Sequence, residues 1–309
     1  MNAHKKFFSK IGADYFILGI MTIVFQAIII NIINVFNPIY LNDFNILTAL
    51  SALCNYILPF PIFYLLMKRL PSQTIEKHSI DFKTLLKYIA ITITLMQIGN
   101  IISVVITAIL SGAIQSEITN PVHQLINNNN ILINLLVISI IAPIFEEIFF
   151  RKFLIDRTIK YGARVSIILS AALFGFFHGN INQFFYTFLM GGFFAYVYIK
   201  TGKITYPIIL HSIINMIGSV LSLFIQSSIS NLKTAINPMD LGLLIIYFLI
   251  IFLSLLIGVW SLFNYKQAKF NGEKTEINLK YPLNTVFVNY GMIIFIGFFI
   301  ILMVKQAFF

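Results

Sequence analysis

Seven apolar runs in this chain are long enough to cross a bilayer, near residues 16–36, 46–67, 84–110, 131–153, 206–226, 242–264 and 284–304. A span needs ~17 to 25 such residues, and inside hydrocarbon every backbone N–H and C=O must find its partner within the protein. Continuous apolar runs of that length predict helices rather than the alternating strands of a barrel. Two shorter runs, 165–178 and 184–199, sit between the fourth and fifth long ones. The predicted fold is therefore all-α, a polytopic transmembrane helical bundle of about nine segments. With 59% hydrophobic and 10% charged residues, a soluble domain of average make-up is excluded.

The basic residues orient the bundle. Assigned to the loops between these runs, 19 of the 21 Lys and Arg fall on one side, leaving only Lys233 and Lys305 opposite. The positive-inside rule then places the N-terminus in the cytoplasm. This distribution also accounts for the net charge of +10, so nucleic acid is not an expected partner. Lys5, Lys6 and Lys10 precede the first run as in a signal peptide, but the run is long and lacks a small-x-small cleavage site, which predicts a retained helix. Cys54 is the single cysteine, so no intramolecular disulfide is available. The chain reads as one transmembrane domain, 1–309, with the chemistry concentrated in 131–226 and accessory helices in 1–130 and 227–309.

That concentration rests on four ionisable groups. Of eleven acidic residues only Glu146 and Glu147 fall inside a predicted span, and of five histidines only His178 and His211. A charged residue at a helix centre in the membrane costs roughly 2.5 to 3.5 kcal/mol on insertion scales, so each needs a partner, water or a role. Glu147 and Arg151 are four apart, acid first, the favourable order for a helical ion pair. Glu146 points about 100° away and is left free of that pair. Phe174 precedes His178 by four, and Asn215 follows His211 by four, so each histidine has a companion on its own face.

Glu146-Glu147-x-x-x-Arg151, Phe174-x-x-x-His178 and His211-x-x-x-Asn215 together resemble the three motifs of the CAAX protease and bacteriocin-processing (CPBP, Abi) family of intramembrane endopeptidases. The flanks agree: Ser170 to Gly179 resembles the run into the second motif, and Thr201-Gly202 with Pro207 the turn into the third. The likeness covers about 135–220, and Lys152 stands where many members have glycine. It implies a multi-pass protein of a bacterial cell membrane that hydrolyses a membrane-associated peptide or protein. In the roles it implies, Glu146 is the base that activates water and later the acid. His178 holds or shuttles that water's proton, His211 and Asn215 donate to the oxyanion, and Glu147 with Arg151 orients the helix.

No cofactor is required in that reading. A metalloprotease alternative, with zinc on His178, His211 and Glu146, stays open because two histidines and a glutamate can form a three-ligand site. A non-catalytic role on the same scaffold, in bacteriocin self-immunity or signalling regulation, is the competing function. A proton-relaying transporter is a third, although no repeated halves support it. One feature of the spacing is discordant. Glu146 and His211 are expected within about two turns of the cytoplasmic boundary, in a cavity opening inward, yet His178 lies about 20 Å beyond Arg164.

Overall fold

The computed structural model describes residues 2–264 and 276–308. Lys266, Lys269 and Lys274, three of the basic residues used for orientation, lie outside the described residues. Among the described residues there is no strand. The chain runs as helices α1 (Ala3–Phe36), α2 (Phe44–Lys68), α3 (Phe82–Ile114), α4 (Ile131–Tyr161), α5 (Ala163–Phe177), α6 (Ile181–Thr201), α7 (Thr205–Leu232), α8 (Pro238–Phe263) and α9 (Tyr290–Phe308). Among the described residues, seven of these are long and apolar enough to cross a membrane; α5 is a shorter apolar helix, and α5 and α6 occupy the two short predicted runs. The protein is a multi-pass integral membrane protein.

Packing follows small residues. Helix α1 lies against α9, and a Cβ on Gly291 would collide with the Ser9 carbonyl, so the two backbones touch directly. Such backbone contact is how membrane helices gain close packing without a hydrophobic drive between them. Helix α6 packs on α5 and α3, and α3 in turn on α8. The largest core cluster joins Phe8, Tyr15 and Leu18 of α1 to Phe149 and Phe150 of α4 and to Phe295 and Phe299 of α9.

Three helices are not regular. Wide turns with i to i+5 hydrogen bonding occur at Leu53–Ile57 in α2, Asn134–Ile141 and Ile148–Phe153 in α4, and Ile217–Leu221 in α7. Wide turns weaken the local carbonyl ladder, which in hydrocarbon must be repaired by neighbours. Tyr15 of α1 donates its hydroxyl to the Phe149 carbonyl at 2.5 Å, and Ser170 of α5 donates to the Phe150 carbonyl at 2.8 Å. Between α4 and α7, Ser139 and Ser219 hydroxyls meet at 2.9 Å, and Ser219 donates to the Asn215 carbonyl.

Helix α4 continues to Tyr161, well past the predicted end near residue 153. Asp156 and Arg157, which read as loop charges, are buried: Asp156 accepts from Tyr198 Oη at 2.7 Å, and Arg157 Nε donates to the Met67 carbonyl at 2.7 Å. Asp14 of α1 is buried too and pairs with Arg69 at 3.1 Å. Buried charges are thus more numerous than the sequence suggested, because neighbouring polar groups let helices extend through charged residues.

This extension resolves the discordant depth. Helices α4 and α5 form a hairpin about Gly162, whose φ of 96° supplies the left-handed turn. Glu146 lies sixteen residues before Gly162 and His178 sixteen after it, so both stand about 24 Å from the turn. They share one level in the bundle. An extended segment, 70–81, lies across the Gly162 end, with Gln73 N–H donating to the Asp156 carbonyl at 2.6 Å and His78 N–H to the Thr201 carbonyl at 2.7 Å. Tyr15→Phe should lower stability by about 1 to 3 kcal/mol, since it strands the buried Phe149 carbonyl. Thermal unfolding in detergent measures this, and an unchanged midpoint would show that the carbonyl is satisfied within α4.

Candidate active site

Glu147 is completely buried and holds two partners at once. Its Oε2 lies 2.9 Å from Arg151 Nε and its Oε1 lies 2.8 Å from His211 Nδ1. The first contact is an ion pair whose N–H points off the N–O line, so it falls short of a directed hydrogen bond. Arg151 is likewise unexposed, and among the described residues its terminal nitrogens have no hydrogen-bond partner. Its guanidinium instead lies over the Phe174 ring at 4.4 Å and near the Phe194 ring at 5.5 Å, where the aromatic quadrupole offsets part of the lost hydration. The spacing predicted the Glu147–Arg151 pair; the bond from Glu147 across to α7 is additional.

Glu146 faces the other way, as the helical angle requires, and is 15% exposed. Its Oε1 accepts from the Tyr56 hydroxyl at 2.6 Å, and its Oε2 stands 3.6 Å from His211 Nε2. His211 is therefore wedged between the two adjacent carboxylates. His178 ends α5, with Nδ1 2.8 Å from the Phe174 carbonyl. One ring organises both imidazoles: Phe174 meets His178 edge-on at 4.8 Å and His211 edge-on at 5.7 Å.

The partners fix the tautomers. A carbonyl and an ionised carboxylate can only accept, so Nδ1 carries the hydrogen in both neutral rings and both Nε2 atoms present lone pairs. The free carboxylate oxygen of Glu146 and the His211 Nε2 stand 3.6 Å apart, a pair that a hydrogen-bearing guest such as water can bridge. Asn215 donates Nδ2–H to the Ile138 carbonyl at 2.9 Å, so one of its two amide hydrogens is committed to the wide turn of α4.

His178, His211 and Glu146 are the residues available to zinc. Among the described residues, however, no group of three or more His, Cys, Asp or Glu side chains is arranged to hold a metal ion. Glu146 also spends one oxygen on Tyr56.

Tyr56 is the site residue the sequence reading missed. The only signal for it was an Asn55-Tyr56 pair just before the prolines of the second apolar run. His178 also borders an open groove lined by Gly19 and Thr22 of α1 and by Phe299, Leu302 and Lys305 of α9, on the side away from the Gly162 turn. Because removing one member of a buried ion pair orphans the other, Glu147→Gln should destabilise the fold by about 3 to 5 kcal/mol, and Glu147→Gln with Arg151→Gln by clearly less. Thermal unfolding of both variants decides it; a double variant as unstable as the single would show that Arg151 draws little from Glu147.

Residues 128–217, which contain all seven motif positions, match the family model described as type II CAAX prenyl endopeptidase Rce1-like. The Bacillus subtilis (strain 168) protein named "Putative membrane peptidase YdiL" is 27% identical over 187 residues, spanning 59% of this chain and 75% of that protein. No solved structure gives a significant match. The stretch that carries the site residues of α4, α5 and α7 is thus similar in sequence to the Rce1-like CAAX endopeptidases, and both likenesses support a membrane protease scaffold.

Proposed function

We propose that the protein is an intramembrane endopeptidase that hydrolyses a peptide bond in a membrane-associated peptide or protein. The observation that carries this reading is the free Oε2 of Glu146, 3.6 Å from His211 Nε2, with His178 against the same Phe174 ring as His211. Water placed there gives one hydrogen to Glu146 and is aligned by an imidazole lone pair. Glu146 takes the proton as the water attacks the carbonyl carbon, then returns it to the departing amine.

The charge that develops on the carbonyl oxygen needs donors already in place. His211 serves in its already protonated form, with Nε2–H toward that oxygen and Nδ1–H held by Glu147, which stabilises the imidazolium, while the lone pair that aligns the water is that of His178. Asn215 contributes its second amide hydrogen. Arg151 acts through Glu147 and does not touch the reacting atoms. The distribution of Lys and Arg puts the Gly162 turn and the 70–81 segment on the cytoplasmic side.

Glu146→Gln keeps the shape of the side chain and removes the base. Hydrolysis of fluorescein-labelled casein by the purified protein in detergent should fall about 100-fold or more, while insertion and thermal midpoint stay near normal. Full activity in that variant would overturn the proposal. A well-folded wild-type protein that hydrolyses neither casein nor a membrane-embedded peptide would instead favour the non-catalytic immunity or signalling role.

A further inference from the structure

The donors of the site are nearly all committed. In the neutral rings His178 Nδ1–H is held by the Phe174 carbonyl and His211 Nδ1–H by Glu147, and Asn215 gives one hydrogen to the Ile138 carbonyl. Against Glu146 itself stands a donor from outside the three motifs, the Tyr56 hydroxyl at 2.6 Å. A hydrogen bond to an ionised oxygen at this distance is of the strong, charge-assisted kind.

Two features show that the hydroxyl is aimed. Tyr56 lies in the wide turn Leu53–Ile57 of α2, so it shares with α4 and α7 the irregularity that marks the site helices, and such turns recur at functional positions. Its ring is stacked on Phe145, the residue before Glu146, at 5.7 Å and 17°, and Phe60 closes on the same Phe145 ring at 5.8 Å. One residue earlier, Asn55 accepts from Gln26 Nε2 at 2.8 Å and ties this turn to α1.

We propose that Tyr56 is a positioning residue for the general base: its hydroxyl holds Glu146 Oε1 and leaves Oε2 as the oxygen that takes the proton from water. The inference rests on the endopeptidase reading above. It makes α2, which lies outside residues 128–217, part of the active site.

The test uses the full chain in detergent with fluorescein-labelled casein. Tyr56→Phe keeps the stacked ring and should lower kcat by on the order of 10- to 100-fold with KM unchanged. In a Glu146→Asp background the carboxylate is withdrawn from the hydroxyl, and the same substitution should change kcat by less than about 2-fold. A role confined to stability would lower the thermal midpoint and leave kcat per folded molecule alone. Wild-type kcat in Tyr56→Phe, or an equal loss in both backgrounds, would overturn the proposal. If Glu146→Gln is inactive while Tyr56→Phe is normal, this proposal alone fails; if Glu146→Gln is active, the endopeptidase reading fails first. Independently of substrate, the thermal-unfolding effects of Tyr56→Phe and Glu146→Ala should be non-additive, and additivity would overturn the contact.

Discussion

A single carboxylate with no exposure, Glu147, has to satisfy a guanidinium on its own helix and an imidazole on another. Leaving any one of the three unpaired inside a membrane protein costs several kcal/mol. That constraint sets how α4 and α7 meet, and it places His211 between two adjacent glutamates. The Phe174 ring then fills the remaining side, under Arg151 and against both histidines. Electrostatics and aromatic packing therefore fix the same geometry, and a base with one free oxygen results from it.

The site helices trade regularity for aim. Each of α2, α4 and α7 carries a wide turn, and the neighbours supply the hydrogen bonds: Tyr15 and Ser170 to α4 carbonyls, Asn215 across to Ile138, Ser139 to Ser219. The long polar chain continues outward through Asn134, which is unexposed and donates to the Ile126 carbonyl, to Asn129 and Thr48. Apart from Asn215, these side chains have a structural part. They keep a distorted backbone affordable in an apolar surround, and they make α1 and α2 structural partners of a centre whose motifs all lie between residues 146 and 215.

Much of this was legible in the sequence. Hydropathy located the spans because the requirement for internal hydrogen bonding leaves few alternatives, and the spacing of Glu147 and Arg151 forecast their pairing because it depends only on helix geometry. The end of α4 was not legible: Asp156 and Arg157 look like loop residues until Tyr198 and the Met67 carbonyl are placed beside them. With α4 cut short, His178 seemed out of register with Glu146. Tyr56 was hidden for a related reason, since a tyrosine in an apolar run carries no periodic signal and its contact with Glu146 spans ninety residues. Long-range polar contacts are what a linear pattern cannot display.

The convergence of α4 and α5 at one level is the claim on which the chemistry stands, and thiol cross-linking in the native membrane tests it most directly. In a Cys54→Ser chain, cysteines replacing Glu146 and His178 should be bridged by a short bifunctional thiol reagent. Failure of the short reagent to bridge them, while each cysteine reacts singly and only a long-armed reagent joins the pair, would contradict the account.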